Sequence, residues 1–353
     1  MSKVNKDIRA FSREELKSIF SEQGEKAFRA QQVYEWLWKK SAGTFDEMTN
    51  LSIPLRSWLN ENFKINRIEV VDKQISSDKT IKSGFRLHDG HVVEGVLIPA
   101  DDRMTACVSS QVGCSLTCKF CATGKLDRIR NLNPDEIYDQ VVHIRNWAQK
   151  HYNQPLTNIV FMGMGEPLLN YKNVLAAIEK ITSPEGLGMS NERITVSTAG
   201  IAKMIERLAD DRVKFRLALS LHAANDSKRN QIMPINESNS LDSIIKALAY
   251  FHSMTRNRIT FEYIAFRDFN DSMQDARELL AICKQIPAKV NIIEYNPTGD
   301  GLFQKSEQNT IDKFASFLMK NGVQTTVRRS RGKDIDAACG QLANKKHQEA
   351  LIN

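Results

Sequence analysis

The strongest constraint on the fold of this sequence is an alternation of short β-rich runs with helical stretches, which begins near residue 104. Strands separated by helices form parallel sheets with right-handed crossovers, so the alternation predicts an α/β fold. Six strand–helix units are too few for the eight of a closed barrel, which leaves a doubly wound sheet or an open partial barrel. The predicted strands lie at 104–110, 157–163, 193–198, 214–221, 258–266 and 289–295, and a last strand lies at 325–330.

The helices between these strands are predicted from the signals at their ends. Asn133 is followed by Pro134 and Glu136, which form a capping box with proline at the first helical position. This helix should run to about Gln149. Further helices are predicted to begin near Asn170, Ser240 and Ser306.

The chain before residue 104 has a different pattern, which predicts a separate small module. Three short helical segments precede two β-rich runs, and a hairpin signal at Asp89 and Gly90 joins those runs. In the segment "KAFRAQQVYEWLWKK", basic and aromatic residues alternate, and the tryptophans are expected to pack in a core rather than face a nucleic acid. We predict four parts: a helical accessory domain at 1–65, a linking β-element at 66–103, a barrel at 104–322 and a C-terminal extension at 323–353.

The composition limits the classes of partner. A net charge of +7 and a pI near 9.0 favour polyanionic partners, or reflect an ordinary basic surface. No run approaches the roughly 18–20 apolar residues of a membrane span, and the N-terminus lacks the apolar region of a signal peptide. We therefore expect a soluble cytoplasmic protein with no membrane partner, whose six cysteines are reduced. Cysteines that cluster in such a protein indicate metal binding or catalysis.

Three cysteines do cluster, in a loop directly after the first predicted strand. Cys114, Cys118 and Cys121 have the spacing C-x3-C-x2-C, and thiolates on so short a loop suit an iron–sulfur cluster. Three ligands would leave one iron of a four-iron cluster open to a small molecule. Zinc is the alternative, but it would need a fourth ligand, which His222 could in principle supply.

This arrangement resembles the radical S-adenosylmethionine (SAM) superfamily. Besides the cysteine loop, "GMGEP" at 163–167 stands at the end of the second strand, where that superfamily binds the SAM amino group. The resemblance implies a partial (βα)6 radical SAM barrel. Five longer stretches resemble the RlmN/Cfr family of RNA adenine methyltransferases, and this resemblance runs from about Phe11 to Leu342: "CVSSQVGCSLTCKFCATG", "FMGMGEPLLN", "ITVSTAG", "LALSLHA" and "RGKDIDAACGQL".

The resemblance also implies cofactors and the residues that bind them. Cys114, Cys118 and Cys121 would hold a [4Fe–4S] cluster, and its open iron would bind SAM. The implied SAM contacts follow predicted strands at their C-terminal ends, where active sites of barrels are built. They are Gly165, Glu166, Ser197, Ser220, Leu221, His222 and Asn296.

The implied reaction methylates C2 of adenine in 23S rRNA and in tRNA beside the anticodon, with two SAM per turnover. Cys339 would take a methyl group from one SAM, and a 5′-deoxyadenosyl radical from the second would abstract hydrogen from it. The resulting methylene radical would add to C2. Cys107 would then attack the sulfur of Cys339, form a disulfide and release the base, while Glu94 would accept the C2 proton.

The partners follow from the same resemblance. They are 23S rRNA, tRNA and an electron donor such as flavodoxin or ferredoxin, and we expect a monomer. The domain at 1–65 should help to bind RNA, and the basic run "RRSRGK" at 328–333 should contact phosphates beside Cys339. Two alternatives stay open: methylation of C8 of the same rRNA adenine by the same motifs, and a non-catalytic zinc-bearing RNA-binding protein.

Overall fold

The computed structural model describes residues 6–299 and 301–344. Residues 1–5, 300 and 345–353, which include the outer ends of the predicted accessory domain and C-terminal extension, lie outside the described residues. The three predicted N-terminal helices are present as α1 Arg13–Glu22, α2 Ala27–Trp38 and α3 Ile53–Asn62. A short parallel pair, β1 Lys6–Asp7 and β2 Phe63–Lys64, joins the two ends of this helical segment.

Local side-chain signals set these helices in place. The hydroxyls of Ser12 and Ser52 cap the first turns of α1 and α3 by accepting backbone N–H groups. In α2, Trp38 is buried, as expected of a core residue, whereas Trp36 is only half-buried. The apolar face of α2 is therefore used mainly for packing.

The predicted linking element is an antiparallel ladder that continues into the main sheet. Its strands are β3 Glu69–Ile75, β4 Ile81–Arg86 and β5 Val92–Ala100, and β5 pairs with β6 Arg103–Cys107. Gly90, with a φ of 88°, supplies the left-handed residue of the turn between β4 and β5. The sheet thus continues across the predicted boundary at residue 103, and the four-part division stays a prediction.

The loop after β6 folds back before the first helix of the barrel. Within it, β7 Gln111–Val112 pairs with β8 Arg130–Asn131. Helix α4, Pro134–Tyr152, then starts at the predicted capping box of Asn133 and Glu136.

Strands and helices alternate from this point to the end of the sheet. They are β9 Asn158–Phe161, α5 Tyr171–Thr182, β10 Ile194–Thr198, α6 Ala202–Asp210, β11 Arg216–Ser220, α7 Asp226–Ile232, α8 Leu241–Thr255, β12 Ile259–Ala265, α9 Met273–Cys283, β13 Ala288–Glu294, α10 Gln308–Lys320 and β14 Thr325–Arg328. Parallel pairing links β6 and β9 through β14. The strand order is β14-β13-β12-β11-β10-β9-β6-β5-β4-β3.

This strand order decides between the two predicted architectures. A doubly wound sheet reverses its strand order in the middle, whereas here each new parallel strand is added on the same side of the last. Among the described residues, β3 and β14 form the two edges and do not pair with each other. The fold is therefore an open partial barrel of six strand–helix units with one further parallel strand.

The core lies between the sheet and the helices that cover it. All seven residues of β12 are buried, as parallel strands covered on both faces require. A polar residue inside such a strand is therefore unusual. No helix of the described residues combines the length and apolar character needed to cross a bilayer.

A buried ion pair fixes the N-terminal segment to the barrel. Arg9 Nη1 donates to Asp139 Oδ1 in α4 at 2.9 Å, and its Nη2 lies 3.1 Å from Asp135 Oδ2. The same Nη2 donates to the carbonyl of Asn66. The Asp139 side chain is fully buried, and its other oxygen accepts the N–H of Ile68 at 3.3 Å.

Replacing Arg9 with alanine should lower the free energy of unfolding by about 3–5 kcal/mol, because the buried carboxylate of Asp139 would lose its main partner. The matched control is Arg13→Ala, which breaks an ion pair with Glu185 whose two side chains are 41% and 40% exposed. That change should cost less than about 1 kcal/mol. Urea unfolding followed by circular dichroism measures both, and equal losses would show that the Arg9 pair does not fix the segment.

Candidate active site

A pocket with a cavity volume of about 150 Å³ lies at the C-terminal ends of the parallel strands. Its walls come from the loops after β6 and β9, from the ends of β10 to β13, and from a turn of the C-terminal extension. Carboxyl ends of parallel strands meet at one edge, which is why residues so distant in sequence gather here. The sequence-predicted residues that line the pocket are Cys114, Cys118, Cys121, Gly165, Glu166, Ser197, Ser220, His222 and Cys339.

The three thiols of the cysteine loop share one wall of this pocket. Burial raises the pKa of Cys114 to about 11 and raises the pKa of Cys118 further, so both are neutral thiols until a metal displaces their protons. Three soft sulfur ligands on one loop suit iron–sulfur chemistry.

The zinc alternative would need a fourth ligand beside the three thiols. Within residues 6–299 and 301–344, no group of three or more His, Cys, Asp or Glu side chains is placed to hold a single metal ion.

Gly165 and Glu166 connect the end of β9 to its neighbours. Gly165 has a φ of 94°, and a Cβ atom there would lie 2.5 Å from the Cβ of Gln111, so a side chain has no room. The buried Glu166 accepts backbone N–H groups from Ala199 at 2.8 Å and Leu168 at 3.1 Å. Burial nevertheless raises the pKa of Glu166 to about 7.

The ends of β10 and β11 contribute a pair of hydroxyls and an imidazole. Ser197 and Ser220 have their hydroxyl oxygens 3.3 Å apart. Nδ1 of His222 accepts the backbone N–H of Ile264 at 3.1 Å, so the neutral ring carries its proton on Nε2. Burial lowers the pKa of His222 to about 3, so the ring stays neutral. The side chain of Leu221 is buried in the core and does not line the pocket.

Arg229 lies behind this wall, and the sequence analysis did not single it out. Its fully buried guanidinium donates to three backbone carbonyls: those of Leu221 and Ser220 at 3.1 Å each, and that of Ala199 at 2.5 Å. A fourth bond, of 2.5 Å, goes to the side chain of Asn236. Burial lowers the pKa of Arg229 to about 10. It therefore fixes the strand ends that carry the predicted SAM contacts.

Cys339 reaches the pocket because hydrogen bonds hold its turn against the cysteine loop. The carbonyl of Gly340 accepts the N–H of Ala122 at 2.7 Å, and the carbonyl of Leu342 accepts the hydroxyl of Thr123 at 2.6 Å. Asn296 does not line the pocket, although its amide donates to the carbonyl of Cys339 at 3.4 Å. The cysteine loop and the C-terminal turn are thus in direct contact.

Cys107 and Glu94 lie near this turn but outside the pocket lining. Burial raises the pKa of Cys107 to about 12, and the neighbouring thiol of Cys339 adds to the shift. Both cysteines are free thiols. Glu94 has Oε1 3.4 Å from the amine of Lys82, and its Oε2 accepts two backbone N–H groups of residues 343 and 344, at 2.9 and 3.1 Å.

One further acidic residue lines the pocket without having been predicted. Glu262 lies in the fully buried strand β12 and lines the pocket together with Cys339. A glutamate inside the apolar run "ITFEYIA" was the one signal in the sequence that pointed to it.

Comparison with known proteins identifies two family regions. Residues 6–65 match the ribosomal RNA large subunit methyltransferase N-terminal domain, and residues 108–280 match the radical SAM superfamily. A crystal structure of a radical SAM methyltransferase from Sphaerobacter thermophilus superposes with a TM-score of 0.90. It is 38% identical and covers 95% of this chain and 98% of its own.

Curated relatives match over nearly the full length. A probable dual-specificity RNA methyltransferase RlmN of Cytophaga hutchinsonii is 62% identical, covering 96% of this chain and 93% of the relative. A dual-specificity RNA methyltransferase RlmN of Geotalea uraniireducens is 43% identical, covering 98% of both chains. Membership in a family of enzymes argues against the non-catalytic zinc protein. The chain belongs to the RlmN family of radical SAM RNA methyltransferases, whose cofactors are a [4Fe–4S] cluster and SAM.

Proposed function

We propose that this chain methylates C2 of adenine in 23S rRNA and in tRNA through a methyl group carried on Cys339. The relatives are named dual-specificity RNA methyltransferases, which supports two classes of RNA substrate. The observation that carries the proposal is a second pair of thiols beside the cluster loop. Cys339 lines the same pocket as the three thiols of the cysteine loop, and its charge contributes to the raised pKa of the buried Cys107.

The proposed cofactor contacts are those of the sequence analysis. Cys114, Cys118 and Cys121 would hold the cluster; when bound, cluster and SAM supply a 5′-deoxyadenosyl radical. The remaining contacts position SAM from the strand ends and the turn of Cys339. They are Gly165, Glu166, Ser197, Ser220, Leu221, His222 and Asn296.

The thiols and one carboxylate carry the other steps. Cys339 accepts a methyl group and later presents it to the adenine, and Cys107 resolves the covalent link by attacking the sulfur of Cys339. Because burial raises the pKa of Cys107 to about 12, this thiol must lose its proton at the moment of attack. Glu94 accepts the proton from C2, for which the N–H groups of residues 343 and 344 must first leave its carboxylate.

The RNA contacts are proposed for two regions. Arg329 and Arg331 are exposed beside the turn of Cys339 and would bind phosphates of the backbone, and the N-terminal helical domain would bind a neighbouring part of the RNA. The adenine must leave its stack to reach the pocket. We take the chain to be a cytoplasmic monomer that receives its electron from flavodoxin or ferredoxin.

Nucleoside mass spectrometry tests the proposed product. Total RNA or purified 23S rRNA and tRNA, incubated with the reconstituted enzyme, SAM and a reductant, should yield 2-methyladenosine from both classes. The Cys339→Ala enzyme should yield none. If 8-methyladenosine is the sole product, the C8 alternative is correct and the proposed position is wrong.

The cluster assignment predicts the iron content of two cysteine variants. Cys118→Ala, purified without oxygen, should lose most of its iron, sulfide and brown colour, because a four-iron cluster with two protein ligands is poorly held. Cys283→Ala is the matched control, because Cys283 ends α9 away from the pocket lining. Full iron content in Cys118→Ala would remove this residue from the ligand set.

The resolving role of Cys107 predicts a trapped intermediate. Cys107→Ala should still form the covalent link between Cys339 and RNA but should not release it. A protein band shifted by bound RNA should therefore accumulate on a denaturing gel. Adding Cys339→Ala should abolish that band, and Cys283→Ala alone should turn over normally. Sustained turnover by Cys107→Ala would contradict the assignment.

A further inference from the structure

Glu262 carries an oxygen atom that the fold leaves without a partner. In the parallel register of the sheet it lies opposite Asn291 of β13, so both side chains point to the same face. The amide of Asn291 donates to Oε1 at 2.7 Å. The side chain is 4% exposed, and no hydrogen bond from the described residues reaches Oε2.

An unpaired oxygen on a buried carboxyl group costs free energy, so it calls for a reason in the function of the molecule. Glu262 lines the active-site pocket together with Cys339. Burial raises the pKa of Glu262, while the positive charges of Arg328 and Lys289 and the bond from Asn291 act in the opposite direction. Oε1 of Glu262 is thus held by Asn291, whereas Oε2 is buried without a hydrogen-bond partner among the described residues.

The carboxylate of Glu262 acts electrostatically on the thiol of Cys339. Although part of its surface is exposed, the pocket walls surround the thiol, and this desolvation raises its pKa. The negative charge of Glu262 raises that pKa further, and Arg328 acts against it. Cys339 is therefore held as a neutral thiol, which must lose its proton when it is methylated.

The other titratable groups near the turn are occupied or unsuited as a base. Both carboxylate oxygens of Glu166 accept backbone N–H groups, and those of Glu94 are held by Lys82 and by residues 343 and 344. Burial lowers the pKa of His222 to about 3, so its ring does not hold a second proton near neutral pH. Among the described residues of the pocket lining, Glu262 has the carboxylate oxygen left free.

We propose that Glu262 is the base that takes the thiol proton of Cys339 when this residue is methylated, a step that rests on the proposed function. The S–H bond of Cys339 breaks and its sulfur forms a bond to the methyl carbon of SAM. The bond between that methyl and the SAM sulfonium breaks, leaving its electron pair on sulfur and giving S-adenosylhomocysteine. The proton passes to Oε2 of Glu262, which becomes a neutral carboxylic acid and later loses the proton to water.

The charges in the pocket favour this route. Before the transfer the reacting groups are a carboxylate, a neutral thiol and a sulfonium cation, and afterwards all three sites are neutral. Because opposite charges are removed together, no isolated thiolate forms in a site of low dielectric constant. Deprotonation to water before the transfer would create such a thiolate next to the negative carboxylate.

The test is Glu262→Gln, which keeps an oxygen to accept the bond from Asn291 but has no basic carboxylate. Cluster-reconstituted protein with unmethylated Cys339 is mixed with SAM without RNA. The mass of the tryptic peptide 334–345, which contains Cys339, is then followed over time by mass spectrometry. S-methylation should slow by about 10²-fold or more, the usual contribution of a general base. In parallel, the pH at which Cys339 becomes reactive toward iodoacetamide without SAM should fall in the variant, because removing the negative charge lowers the thiol pKa.

These two changes together separate a base from a structural residue. A distorted pocket would slow methylation without lowering the pH at which the thiol becomes reactive, and that result, like methylation at the wild-type rate, would overturn the proposal. Glu262→Asp retains a carboxylate and should recover part of the rate, while Glu278→Gln on α9 should change neither measurement. If wild-type protein gains no methyl group on Cys339, the proposed function itself fails, whatever the variant does.

Discussion

The buried guanidinium of Arg229 is the contact on which the site depends most. Parallel strands end with carbonyl groups that no further strand satisfies, and here Leu221, Ser220 and Ala199 present three such carbonyls to one side chain. A planar guanidinium with five N–H donors can bond all three carbonyls at once, whereas a lysine side chain donates from a single nitrogen atom. No carboxylate in the described part of the chain forms a hydrogen bond with this guanidinium. It also places a positive charge near Cys118, where an anionic cluster would lie.

The linking β-element provides the second constraint, because it holds the segment that carries Cys339. Asp334 accepts the N–H of Ser77 at 3.0 Å, and Asp78 accepts the N–H of Gly332 at 2.8 Å. Both contacts lie at the tip of the hairpin between β3 and β4, which continues the barrel sheet. Cys339 is therefore positioned by the sheet on one side of its turn and by the cysteine loop on the other.

Periodicity and end signals were enough to predict most of the fold, because strand alternation and helix caps are local properties. The helix at Pro134 and the turn at Gly90 follow from neighbouring residues alone. The motifs fall at strand ends and so include many of the side chains that line the pocket, although Leu221 and Asn296 do not line it. The parts played by Arg229 and Glu262 could not be predicted from local patterns. Arg229 lies in the short polar helix α7, whose sequence is typical of a surface helix. Both side chains also depend on partners from other parts of the sheet, which the sequence does not reveal.

The contacts of Glu94 and Glu262 assign the observed arrangement to one stage of the proposed reaction. Cys339 and Glu262 both line the pocket, and Oε2 of Glu262 has no hydrogen-bond partner among the described residues, as methylation of the thiol by the proposed route requires. At the same time Glu94 is covered by the backbone of residues 343 and 344, so it has no free oxygen for the proton of an adenine. The C-terminal turn thus places the thiol of Cys339 in the pocket for methylation, while its residues 343 and 344 cover the carboxylate of Glu94 that the later proton transfer needs.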